Sequence, residues 1–365
     1  MSRKLSIMAP FAFLFIFFQC LFPATSSTSP QPPLAPALYV FGDSLLDSGN
    51  NNILPTIAKV NYLPYGANFP RGHTGRFTNG KTLADFVAEF LGLPYSPPCL
   101  SVNNSVPLTG LNYASGGCGI LPETGRQLCL SLEEQFGLFE KTVKSKLPSH
   151  FNSNPEKLSD YLSKSIVVIS IGSNDYLSNY FDTELSDTSK RFGPEPFAQL
   201  LVDSLSRQLE RLYNIGVRKA ITFDIGPLGC IPWITRNHKQ NGTCVEEKNQ
   251  LVQYFNNRLP AMLKNLTTTL KGSNFVLGHS YWLVYDAAIN PSEYGITDAR
   301  NPCCSAWLNG TTLCIPKSKP CPNVDEHCFW DGYHLTEAMY SLVASRCIND
   351  ESVCIPINLK DLVNF

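Results

Sequence analysis

The sequence predicts an α/β fold built on a parallel sheet covered on both faces. Three observations carry that reading. Short apolar runs of β type alternate with stretches whose apolar residues recur at helical spacing. The strongest run, IVVISI at 166–171, is apolar almost throughout, as a strand buried on both faces requires. Small-residue motifs bearing serine or asparagine follow directly after such runs, where open α/β sheets gather their reactive groups.

The elements follow in order. The first strand spans 37–41. Residues 81–91 (KTLADFVAEFL) form a helix stopped by Gly92 and Pro94. A second strand spans 111–114. Ser131 opens a helix, with Ser131 and Glu134 as a capping box and Phe136 and Phe139 on one face. The run 166–171 is the third strand. A long helical pattern over 196–213 ends at Asn214 and Gly216, and 219–225 is the fourth strand. Residues 246–270 are another long helical stretch with Pro260 as a candidate break. The fifth strand spans 274–277, and Thr336 is the N-cap of a last helix reaching about 346. The stretch 290–329 has no periodicity, and its cysteines are expected to tie it down. No internal repeat is present.

The 365 residues include 29 basic and 30 acidic side chains, and only 16% are charged. Average soluble domains carry about 25%. A nucleic-acid binder needs a basic excess to displace phosphate counterions, so no nucleic-acid partner is expected. Composition also excludes collagen-like, coiled-coil and disordered chains. A chain this long buries roughly 75% of its unfolded surface and needs no metal to fold.

Arg3 and Lys4 precede an apolar run over 5–22 and small residues over 24–29, with Ala24 and Ser26 placed for cleavage. This is the pattern of a secretory signal peptide over 1–26. A membrane anchor needs about 20 apolar residues. Pro10 and Gln19 interrupt this run, and no stable membrane anchor is expected. A Ser/Pro-rich linker follows over 27–36. Cleavage removes Cys20 and leaves 12 of the 13 cysteines, an even number that implies disulfides in an oxidising compartment. Cys118/Cys129, Cys230/Cys244 and Cys347/Cys354 are spaced to close short loops. Cys314, Cys321, His327 and Cys328 crowd one stretch, but without CxxC spacing, and no metal is expected. Sequons at Asn103, Asn241, Asn265 and Asn309 predict glycosylated, exposed loops.

Four motifs carry chemistry. Gly42-Asp43-Ser44-Leu45 leaves the first strand and puts a serine hydroxyl at the sheet edge, its own N–H near a helix start. An ordinary serine N-cap reads the same way. Ala114-Ser115-Gly116-Gly117 follows the second strand and exposes N–H groups, as plain turns also do. Gly172-Ser173-Asn174-Asp175 offers a side-chain amide, although Asn-Asp after glycine is common turn chemistry. In Trp330-Asp331-Gly332-Tyr333-His334, an acid three residues before a histidine can hold one ring nitrogen and leave the other as a base. His73, His150, His238, His279 and His327 show no carboxylate partner in a strand-exit or helix-start setting. The G-x-S-x-G elbow of α/β-hydrolases is absent. Tyr62, Tyr65, Phe69 and Phe77, after the serine, are candidates for an acyl pocket and equally for buried core.

Together the four motifs resemble the SGNH hydrolases, and closely the plant GDSL esterase/lipase family. The matching segments are FGDSLLDSGNNN (41–52), TGRFTNGKTLADF (74–86), NYASGGCGILPETG (112–125), GSNDY (172–176), GPLGCIP (226–232) and FWDGYHLTEA (329–338). The resemblance spans 39 to about 344. It implies a flavodoxin-like three-layer α/β/α sandwich with a central parallel five-stranded sheet and long disulfide-tied loops, as one hydrolase domain over 37–365. It further implies Ser44 as nucleophile, His334 as general acid/base and Asp331 as its orienter. Ser44 N–H, Gly116 N–H and the Asn174 amide would form the oxyanion hole, with no cofactor. Leu335 replaces a proline common after the histidine, and Cys118 and Cys328 stand where many members have other residues.

The expected activity is that of a secreted, extracellular (apoplast or cell-wall) carboxyl-ester hydrolase. Its partner is a small-molecule or polymeric ester, cleaved through an acyl-enzyme. An acyltransferase would pass the same acyl group to an alcohol or polysaccharide. A third reading is a non-catalytic binding glycoprotein, against which the intact Ser44, Asn174, Asp331 and His334 argue.

Overall fold

Valine, isoleucine and aromatic residues dominate the runs that become strands, because side chains that crowd a helix pack well on a pleated surface. The computed structural model describes residues 32–103, 105–126, 128–184, 186–237, 244–304, 306 and 312–365. The expected signal peptide, half of the expected linker (27–31) and the sequons at Asn241 and Asn309 lie outside the described residues. Residues Pro33–Phe365 form one compact unit; of the other, Met1–Pro32, only Pro32 is described.

The strands are β1 (Leu38–Gly42), β2 (Ile166–Ser170), β3 (Lys219–Phe223), β4 (Asn274–Gly278), β5 (Asp298–Pro302), β6 (His327–Phe329) and β7 (Cys354–Ile355). The main sheet has the order β1-β2-β3-β4-β7. Its first four strands are parallel, and β7 is antiparallel to β4. Strands β5 and β6 pair separately, inside the stretch read as aperiodic.

Residues 111–114 differ from the expected second strand. They run along the outer side of β1, where Val40 N donates to Leu111 O and Tyr113 N to Val40 O. Only one bridge to β1 forms, between Val40 and Asn112. The Asn112 side chain instead serves the turn after β1, donating to Leu46 O at 2.7 Å. Counted beside β1, the segment completes the 2-1-3-4-5 order of flavodoxin-like sheets. The fifth strand of the hydrogen-bonded sheet is the short β7.

The helices of nine residues or more are α1 (Leu83–Leu91), α2 (Leu132–Ser145), α3 (Pro155–Lys164), α4 (Pro194–Ile215), α5 (Glu246–Asn256), α6 (Leu259–Thr269), α7 (Tyr281–Ile289) and α8 (Glu337–Asn349). Helix α2 starts where the capping box places it, with Ser131 accepting from Glu134 N. Alternation along the strands divides the core. Tyr39, Phe41, Val167, Ile169, Ala220 and Phe275 face α2 to α6. Leu38, Val40, Ile166, Val168, Ile221 and Val276 face α1, α7 and α8. The result is a three-layer α/β/α sandwich.

Five disulfides form among the described residues: the three expected loops, plus Cys303–Cys321 and Cys304–Cys314 in the aperiodic stretch. Each closes a short loop, worth about 3 kcal/mol in the chain-entropy model. The even cysteine count does not mean full pairing, because Cys99 and Cys328 are free thiols. Cys328 is buried in an apolar cluster with Phe329 and Met339, and Cys99 lies against Asn50. Asn103 is exposed in a loop, whereas Asn265 is exposed on α6 rather than in a loop.

The segment TGRFTNG is explained by one buried ion pair. Arg76 grips Asp85 of α1 through two bonds of 2.7 Å. It also donates to Ser48 O, and its guanidinium lies 4.2 Å from the Phe69 ring centre. Asp85 in turn caps α1 by accepting from Thr82 N. Removing one member of a buried pair strands the other charge. Arg76→Met is expected to lower the unfolding free energy by about 3–5 kcal/mol in urea titrations. Arg76→Met combined with Asp85→Asn should lose less; an equal or larger loss in the double variant would refute the stranded-charge account.

Candidate active site

Strand β1 ends on a residue that must be glycine. Gly42 has a φ of +145°, and a Cβ there would lie 2.1 Å from Ser170 O. The chain then makes a single helical turn, with Leu46 N and Asp47 N both donating to Asp43 O. This sets Ser44 at the C-terminal edge of the sheet. Gln135 of α2 holds the strand end, accepting from Gly42 N at 2.9 Å and donating to Gly42 O at 2.8 Å.

His334 arrives from the other end of the chain. Trp330 N donates to His334 O at 2.7 Å and closes a tight loop. Within it, Asp331 Oδ1 accepts from Tyr333 N at 2.8 Å and His334 N at 2.9 Å. The same carboxylate takes the Nδ1–H of His334 at 2.8 Å, a tautomer that leaves Nε2 as an acceptor. The Ser44 hydroxyl donates to Nε2 at 2.8 Å. Asp331 is fully buried and His334 nearly so. Tyr65 donates to Asp331 Oδ2 at 2.6 Å and accepts from Cys314 N at 3.1 Å. Such a relay can take the serine proton as its oxygen attacks a carbonyl, with Asp331 stabilising the imidazolium.

Of the three expected anion donors, two remain available. Ser44 N–H has no acceptor among the described residues. Asn174 donates one amide hydrogen to Cys118 O at 2.8 Å, which leaves the second. Gly116 is the exception, because its N–H donates to Asp47 Oδ2 at 3.1 Å. That buried carboxylate also collects the N–H groups of Gly49, Asn50 and Asn51. The next residue offers a free N–H instead. Gly117 has a φ of +91°, nothing within 4 Å of where a Cβ would stand, and an N–H without an acceptor among the described residues. Ser44, Gly117 and Asn174 line one cavity; Gly116 does not.

That cavity measures about 490 Å³ and is mostly apolar. Leu177, Trp233, Leu313 and Tyr333, all half-buried, are among its lining residues. Of the aromatic candidates only Phe77 lines it, its ring centre 5.1 Å from that of His334. Tyr65 supports Asp331, Tyr62 donates to Cys314 O, and Phe69 lies under Arg76.

Several supporting groups escaped the sequence reading. Asp175 fastens the loop after Gly117, accepting from Ile120 N, Leu121 N and Thr124 Oγ1. His279 does have a carboxylate partner at a strand exit. It leaves β4 and bonds Asp224 Oδ2 at 2.6 Å, and that bond raises its pKa. Fifty-five positions separate the two, so no local spacing could signal the pair. Cys303, Cys321 and His327 lie together, but the two sulfurs are bonded to each other and offer no thiolate.

Buried carboxyls surround the turn that carries Ser44. Desolvation pushes Asp43 up to about 7; one oxygen accepts from Leu45 N and the other has no partner among the described residues. Asp47 and Asp175, equally buried but better supplied with donors, rise to about 6.

Known proteins are similar to this chain in sequence. The family described as "GDSL-like Lipase/Acylhydrolase" matches residues 38–347. "GDSL esterase/lipase 7" of Arabidopsis thaliana is 42% identical over 343 residues, covering 91% of this chain and 93% of its own. Two further GDSL esterases/lipases of that plant are 39% and 41% identical, covering 94% and 92% of this chain and 95% and 89% of theirs.

Tyr65→Phe leaves Cys314 N–H and Asp331 Oδ2 each short of a partner. It is expected to cost about 1–3 kcal/mol in urea titrations and to lower kcat on a short ester with KM unchanged. An unaltered kcat would remove Tyr65 from the support of Asp331. A second expectation concerns pH. Asp43, Asp47 and Asp175 hold their protons to higher pH in the folded chain than their ordinary 3.8. The folded state therefore binds more protons between about pH 4 and 7, and stability falls as pH rises through that window. Asp43→Asn should flatten its upper part; an unchanged slope would contradict the assignment.

Proposed function

Because the chain belongs to the GDSL-like lipase/acylhydrolase family, a family of carboxylic ester hydrolases, we propose that Ser44, His334 and Asp331 form its catalytic triad. One observation carries the proposal: unbroken hydrogen bonds run from Ser44 Oγ through His334 to Asp331, each 2.8 Å long. In this reading Ser44 Oγ attacks the ester carbonyl while His334 Nε2 takes its proton. The carbonyl oxygen becomes negative among the N–H groups of Ser44 and Gly117 and the Asn174 amide. Each donor of that kind is worth about 3 kcal/mol to the transition state. His334 then returns the proton to the leaving alcohol, and water cleaves the acyl-enzyme by the same route.

The proposed setting is extracellular. The leader pattern at 1–26 and five disulfides support secretion, since such bonds persist in oxidising compartments. Exposed Asn103 and Asn265 are compatible with glycosylation. Among the described residues no helix is long and apolar enough to cross a membrane.

Ser44→Ala is expected to abolish both turnover of p-nitrophenyl butyrate and labelling by a fluorophosphonate, with an unchanged melting temperature. Retained turnover would refute the nucleophile. Asn174→Ala is expected to lower kcat by about 10²–10³ with little change in KM. A loss confined to KM would instead make Asn174 a ground-state binding group.

A further inference from the structure

We infer that the cavity beside Ser44 holds the hydrocarbon chain of the acyl group, so that the preferred substrates are esters of straight-chain acids of medium length. This rests on Ser44 being the nucleophile. The cavity runs along the C-terminal edge of the sheet from β1 to β4. Its wall includes Ser44 after β1, Ser170 at the end of β2, Asp224 after β3 and Ser280 after β4. On the side of α1, α7 and α8 it is lined by Leu46, Leu83, Phe223, Val284, Tyr340 and Val343, all buried.

Length sets the chain. Three strand spacings separate β1 from β4 in the sheet order, roughly 14 Å. A zigzag of carbon–carbon single bonds advances about 1.25 Å per bond. The edge therefore matches roughly eleven bonds, an acyl chain of about ten to twelve carbons.

Chemistry decides which half of the ester lies there. The acyl group stays on Ser44 between the two half-reactions, while the alcohol leaves and water enters. A buried arm suits the part that stays. The lining at Leu177, Trp233, Leu313 and Tyr333 is only half-buried, so solvent reaches it, and it suits the traffic of alcohol and water.

The test is a series of p-nitrophenyl esters from acetate to palmitate, read as kcat/KM. The native chain is expected to gain about threefold to fourfold per buried methylene, up to an optimum near decanoate or dodecanoate. Val284→Phe and Val343→Phe, filling the arm, should each lower the decanoate-to-butyrate ratio about tenfold or more. A flat native series, a preference for acetate, or an unchanged ratio in both folded variants overturns the inference. Should the variants not fold, the labelling rate of native Ser44 by ethyl and decyl fluorophosphonates decides. Faster labelling by the decyl reagent supports the buried arm, and equal rates overturn it. None of these outcomes touches the nucleophile itself; only activity surviving Ser44→Ala, or an unlabelled Ser44, removes that reading.

Discussion

One hydrogen bond sets the demand that the rest of the structure meets. Ser44 Oγ and His334 Nε2 must stay 2.8 Å apart although 290 positions separate them. Loop length alone is a modest obstacle, since closure entropy grows only with its logarithm. Precision is the harder requirement, because a small misplacement at the reacting atoms is costly in rate. The long loop after Ser44 supplies it. Tyr65 holds Asp331, Thr78 donates to Leu335 O at 2.9 Å, and Asn79 accepts from Glu337 N at 2.8 Å. From the other side Cys303 N and Cys304 N donate to Phe329 O and Trp330 O, and two disulfides anchor those cysteines. Loops that look irregular in sequence thus form the clamp around the histidine.

The turn that carries Ser44 is held by acids as well as by the buried Leu46. Asp47 gathers four backbone N–H groups, and Asp175 two plus a hydroxyl. Buried carboxylates are tolerated when donors converge on them. Asp43 lacks such a set, and its carboxyl keeps its proton longest. A buried, under-supplied group directly before Ser44 is a local conflict of the kind that functional sites retain.

Much of this was legible beforehand, and the exceptions share a cause. The parallel strands, the capped α2, three disulfides and the Ser44, Asp331 and His334 set all follow from runs, spacings and motifs within a few residues of one another, or from the resemblance they support. Residues 111–114 have strand composition, yet Asn112 gives its side chain to the turn at Leu46. Gly116 and Gly117 are indistinguishable in a run of two glycines. Only the carboxylate of Asp47, nearly seventy positions earlier in the chain, decides which N–H is left for a substrate. His279 looked unpartnered because Asp224 reaches it across neighbouring strands.

Local patterns along the chain specify the layered α/β architecture and, with the family resemblance, the residues expected to carry the chemistry. Strand and helix periodicity are local, and the family's motifs sit on contiguous residues. Tertiary structure alone decided which glycine faces the cavity, which cysteines stay unpaired, which tyrosine braces the acid, and which apolar residues line the cavity beside Ser44. Those are outcomes of competition for hydrogen-bond donors, and of packing between segments distant in the chain. A linear pattern does not encode such competition, because its winner depends on what the fold brings within three ångströms.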